Sequence, residues 1–122
     1  MSVARPALPR LLRKWQKRLR LQDWDITAKY VPGIKITGSE DEHIFGVCMP
    51  QPHHSSAEIE ILDPRHFPEE YPERFRSVEL TFVHEMLHVV FAQAFEHIEE
   101  HPALDDLQER LVEQVAKALL EV

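Results

Sequence analysis

His84 and His88 stand four residues apart, with Glu85 immediately after the first, in the segment Thr81-Phe82-Val83-His84-Glu85-Met86-Leu87-His88-Val89-Val90. On a helix, residues four apart project from one face a turn from each other, so both imidazoles can reach a single ion. Zinc takes neutral imidazole nitrogens at about 2.0–2.1 Å, and catalytic zinc sites keep one position for water. Glu85 would sit beside the ion rather than on it. There it can accept a proton from the water, whose pKa zinc lowers to about 7. The chemistry this pattern points to is Zn2+-dependent hydrolysis of a peptide bond, with Glu85 as general base that then hands the proton to the leaving amine. The two histidines fall in the helical row Leu80, His84, His88, Phe91, Phe95, which is otherwise apolar. Two imidazoles in such a row need polar partners, a shared metal or hydrogen bonds within the core.

A third ligand must come from elsewhere in the chain. The helix carrying the histidines runs about eight residues beyond His88, or about 12 Å. A return helix starting near Pro102 regains the level of the metal at about residues 109–112. That nominates Glu109, beside Val112 and Ala116, with Glu113 as the alternative one turn further on nearly the same face. A histidine of the intervening loop, His97 or His101, is a further option.

The elements that must position these residues are legible around them. Leu8, Leu11, Leu12, Trp15 and Leu19 draw one helical stripe, with Pro9 placed where the first turn tolerates it. Ile26–Val31 is rich in residues that favour strands, Ile44–Met49 is a second short apolar run, and Ala57–Leu62 alternates before Asp63-Pro64. Seven residues join the last two runs, enough for a hairpin. A small antiparallel-type sheet of about three strands is expected. Pro72 or Ser77 offers a start for the histidine-bearing helix, which should run to about Phe95. Pro102 then opens a helix to the C-terminus. The expected fold is α+β: an N-terminal helix, the sheet, and two helices packed antiparallel, in a single domain over residues 1–122.

Composition limits the remaining classes. At 43% hydrophobic and 29% charged residues, the 122-residue chain has a globular rather than a disordered balance. A lone cysteine, Cys48, leaves no internal disulfide and reads as a small hydrophobe in a strand. No apolar run approaches a membrane span and the N-terminus lacks a signal-type apolar core, so a cytoplasmic protein is expected. His53 and His54 read as a solvated loop. Charge is unevenly placed: Arg5, Arg10, Arg13, Lys14, Lys17, Arg18 and Arg20 are half of the 14 basic residues, and the first twenty residues hold none of the 21 acids. Such polarity suits a basic solvated helix face leaning on an acidic body. The rival is a segment that meets an anionic partner, nucleic acid or phospholipid.

His84-Glu85-x-x-His88 followed by Glu109-x-x-Val112-x-x-Val115-Ala116 resembles the gluzincin metallopeptidases, above all their minimal members: minigluzincins and small phage- or prokaryote-type enzymes. Trp15-Gln16-x-x-Leu19-x-Leu21-Gln22-x-Trp24-x-Ile26 is similar to the opening of such proteins. A metzincin would need glycine at 91 and histidine at 94, where Phe91 and Ala94 stand. The resemblance implies a substrate peptide paired along a strand edge above the metal, with Ala57–Leu62 as the candidate. It also implies a histidine or tyrosine that stabilises the oxyanion. No such residue follows Glu109, which leaves Tyr71, His66, His97 and His101. The rival functions are a metal- or peptide-binding module without catalysis and an anion-binding adaptor working through the N-terminal helix.

Overall fold

A computed structural model describes residues 5–32, 45–66, 77–95, 98 and 101–122. Its elements are α1 (Leu8–Arg18), β1 (Asp25–Val31), β2 (Gly46–Gln51), β3 (Ser56–Leu62), α2 (Val78–Phe95) and α3 (Pro102–Leu120). Among the described residues the architecture is α+β, with three α-helices and a three-stranded sheet.

The stripe on α1 does what its spacing requires: Leu8, Leu11 and Trp15 are buried, and Pro9 occupies the first turn. The Gln16 amide donates to the carbonyls of Leu21 and Trp24, tying the helix to the turn that feeds β1. At the far end of β1, the Tyr30 hydroxyl donates to the Pro6 carbonyl at 2.6 Å.

The sheet order is β1-β3-β2. β2 and β3 form the expected antiparallel pair, joined through a short turn over Pro52–His54. β3 then inserts between the two earlier strands and runs parallel to β1, so the sheet is mixed. One face carries Ile26, Ala57, Ile59 and Ile61 into the core, while Thr27, Lys29 and Glu58 on the other are exposed. That one-sided burial produces the alternation along β3. It does not make β3 an edge. Both sides of Ala57–Leu62 are occupied, by β1 and by β2, so the backbone groups expected to pair with a peptide are already bonded. Among the described residues the strand with an open side next to α2 is β2.

β2 begins later than Ile44, which lies outside the described residues, and continues through Pro50 to Gln51. Leu62 donates to the Phe45 carbonyl, and the ladder alternates from there. Val47, Met49 and Gln51 therefore bond to β3, and the peptide groups of Gly46 and Cys48 turn to the open edge. Pro50 shares that outward parity, so its missing N–H costs the sheet nothing.

Ser77, not Pro72, starts α2: its hydroxyl accepts from the Leu80 N–H at 2.9 Å. α2 touches α1, α3, β2 and β3, which is why its buried residues lie on more than one side. α3 packs antiparallel on it, burying Val112 and Ala116. His101 caps α3, its Nδ1 accepting from the Ala103 N–H at 3.1 Å. Among the described residues no helix is long and apolar enough to cross a membrane.

Candidate metal centre

The centre is made by two helix faces meeting. His84 and His88 come from the middle of α2, where their neighbours Val83, Met86, Leu87 and Val89 are buried and fix the helix axis. Glu109 and Glu113, one turn apart on α3, face them. His88 Nε2 lies 2.8 Å from Glu109 Oε1, and His84 Nε2 lies 3.2 Å from Glu109 Oε2. Ligand atoms of His84, His88 and Glu109 all lie within 4.8 Å of one another. Four donors at zinc distances in a tetrahedron stand roughly 3.3 Å apart, so these separations are those of a set able to close on one small cation.

Glu113 takes a different place. Its Oε1 lies 3.0 Å from His84 Nδ1, the ring nitrogen turned away from the other ligands. A carboxylate can only accept, so both ring nitrogens donate in the metal-free cluster, and with Nδ1 held by Glu113 it is Nε2 that would give up its proton to face an ion. This is the outer partner that metal-binding histidines use to fix tautomer and ring orientation. Glu109 and not Glu113 belongs to the converging group, and Glu113 orients one of its members.

Burial opposes a charge on His84, but hydrogen bonds to Glu109 and Glu113 outweigh it and raise the imidazole pKa. Hydrogen bonds to His84 and His88 hold the Glu109 carboxyl well below its usual range. The metal-free cluster is thus a carboxylate held between imidazoles, and a cation would take the place of the ring protons.

Glu85 is buried, rotated from His84 toward β2. A Cβ at position 46 would lie 3.1 Å from Glu85 Oε2 and 3.0 Å from Thr81 Cγ2. Gly46 thereby allows the strand backbone to approach the Glu85 carboxylate, which a side chain there would displace. Cys48, two residues along the same strand face, has its thiol pKa pushed up by burial and by the Glu85 charge. Both effects favour the thiol over the thiolate.

Tyr71, His97 and the side chain of His66 lie outside the described residues. His101 is occupied as the α3 cap, and His53 and His54 are exposed in the turn after β2. Reading the sequence missed the Gly46 approach and the orienting role of Glu113. A glycine inside a strand signals close backbone approach, and a second glutamate at i+4 signals a second reach to the same histidine face.

Comparisons with protein-family models, curated proteins and solved structures found no match.

Proposed function

We propose that this protein is a zinc-dependent peptidase of the His-Glu-x-x-His type, with His84, His88 and Glu109 holding the ion and Glu85 as general base. The observation that carries the reading is the convergence of two imidazole nitrogens and a carboxylate at 2.8 and 3.2 Å, one helix position from a buried glutamate. Two histidines and a glutamate are a donor set suited to zinc and to catalysis, because three protein ligands leave a position open. Bound zinc would polarise the scissile carbonyl and acidify the attacking water. Glu85 would take the proton of that water and deliver it to the departing nitrogen. Glu113 holds His84 in the tautomer that presents Nε2. The substrate is an extended peptide or protein segment. The open edge of β2, with the outward peptide groups of Gly46 and Cys48 beside Glu85, replaces Ala57–Leu62 as the place where it pairs. A cytoplasmic setting agrees with a single cysteine that forms no disulfide.

The test is metal content of the purified protein together with hydrolysis of a mixed peptide library, with and without chelator. The peptidase reading expects about one zinc per chain, cleavage abolished by chelator, and Glu85→Gln that keeps zinc and loses cleavage. Cleavage that survives in Glu85→Gln removes the general base. Full zinc with no cleavage by the wild type leaves a metal-binding module.

A further inference from the structure

The outer face of α1 is a row of exposed cations, most of them without an ion-pair partner among the described residues. Arg10, Arg13, Lys14 and Lys17 recur at i, i+3, i+4 and i+7, and Arg18 and Arg20 extend the row into the turn; all six are exposed. The chain as a whole has a net charge of −7. Yet among the described residues only Lys14 of this row is ion-paired, to Glu79 at 2.7 Å. Arg18 lies over the Trp15 ring at 5.2 Å from its centroid.

Helix electrostatics do not account for the row. Cations stabilise a helix C-terminus, which suits Lys17 and Arg18, but they oppose the positive end of the dipole. Arg10 is the third residue of α1 and Arg13 follows one turn later, while the first turn holds no acid. Insertion into a lipid surface does not account for it either. Interfacial helices bury an apolar face between headgroups, and the apolar face of α1 is already spent on the core through Leu8, Leu11 and Trp15. Nor does the face offer a base-stacking platform, since Trp15 is only 1% exposed.

What remains is a purely electrostatic strip. From Arg10 to Lys17 it spans about 10 Å of helix, over which a duplex presents about six phosphates. The net negative charge of the chain opposes a polyanion, but salt screens charges beyond about 8 Å. We propose that the outer face of α1 binds the phosphate backbone of double-stranded nucleic acid without reading its sequence. This assignment is independent of the metal centre.

Fluorescence anisotropy with a labelled 20-base-pair DNA duplex, between 50 and 200 mM salt, tests it. With Arg10, Arg13, Lys17 and Arg20 each meeting a phosphate, the log–log salt slope should be about −3.6. Two duplexes of unrelated sequence should bind alike. Replacing the four by glutamine keeps helix propensity and should weaken binding at 50 mM salt at least tenfold, with zinc content and thermal melting unchanged. Replacing them by lysine should preserve binding, because point charges suffice. Absence of duplex binding at 50 mM salt overturns the proposal, as does undiminished binding by the folded glutamine variant. Binding to phosphatidylserine vesicles in place of the duplex overturns it in favour of a lipid surface.

Discussion

Asp63 and Glu109 are both carboxylates gripped by two nitrogen-bearing side chains, and they behave as opposites. Asp63, at the end of β3, is 5% exposed and accepts from Arg65 at 2.7 Å, with Arg5 at 3.2 Å. The Arg65 backbone N–H adds another hydrogen bond at 3.0 Å. Glu109 is 59% exposed and meets His84 and His88. Guanidinium groups never give up their protons, so the Asp63 cluster can only be a clasp. With Tyr30 bonded to Pro6 and the Arg5 guanidinium 4.6 Å from the Tyr30 ring centroid, it pins the N-terminal segment to the sheet. Imidazoles do give up protons, and each then offers a lone pair. One cluster holds chain to chain, and the other can be emptied of protons and filled by an ion.

The comparison breaks most visibly if the histidines are removed. His88→Ala should purify with almost no zinc and should lose the thermal stabilisation that added zinc gives the wild type, because binding to the folded state is linked to its stability. Full zinc occupancy in that variant, measured by atomic emission, would falsify the metal centre.

Glu109→Ala and Glu113→Ala sharpen the division of labour between the two glutamates. Loss of a direct ligand should weaken zinc binding by more than a hundredfold, whereas loss of the partner that orients His84 should cost about 10–100-fold. Competitive zinc titration ranks the two. Equal losses, or a larger loss for Glu113→Ala, would reverse the roles assigned to them.

Asp63→Asn touches only the clasp. It should cost about 1–3 kcal/mol of stability, lowering the melting temperature by several degrees and leaving zinc affinity within twofold. Hydrogen bonds from Arg65 lower the Asp63 pKa from 3.8 to about 2 against the opposing effect of burial, with Arg5 adding to the shift. A depressed carboxylate stabilises the fold above its unfolded pKa, so this contribution is present above pH 3.8 and disappears as pH falls through about 2. Acid titration followed by circular dichroism should show that component in the wild type and not in Asp63→Asn. Identical acid profiles would dismiss the clasp.

Glu79→Gln should have the smallest effect. The Glu79 carboxylate accepts from Lys14 and from the Trp15 indole N–H at 2.8 Å, and glutamine can still serve the indole. A loss of about 0.5–1 kcal/mol is expected, with no change in zinc binding. A loss above 2 kcal/mol would show that the charge and not the hydrogen bond holds α1 to α2.

Much of this was readable in the chain before its fold. Local chemistry marks Pro102 as the start of α3 and narrows the start of α2 to Pro72 or Ser77, because caps and proline act within a turn of themselves; the hydrogen bond from the Leu80 N–H selected Ser77. Four-residue spacing puts His84 and His88 on one face in any helix, whatever packs on it. The antiparallel return from Phe95 to Pro102 carries enough length information to bring Glu109 level with His88. Tertiary structure alone decided the rest. Strand order depends on where β3 enters, and it entered between β1 and β2, which among the described residues moved the open edge beside α2 from β3 to β2. Glu109 and Glu113 share a helix face, and although the return length ranked Glu109 first, only the packing of α3 against α2 turned Glu113 to Nδ1 of His84. The approach of Gly46 to Glu85 joins residues 39 positions apart, a distance over which neither periodicity nor propensity carries information.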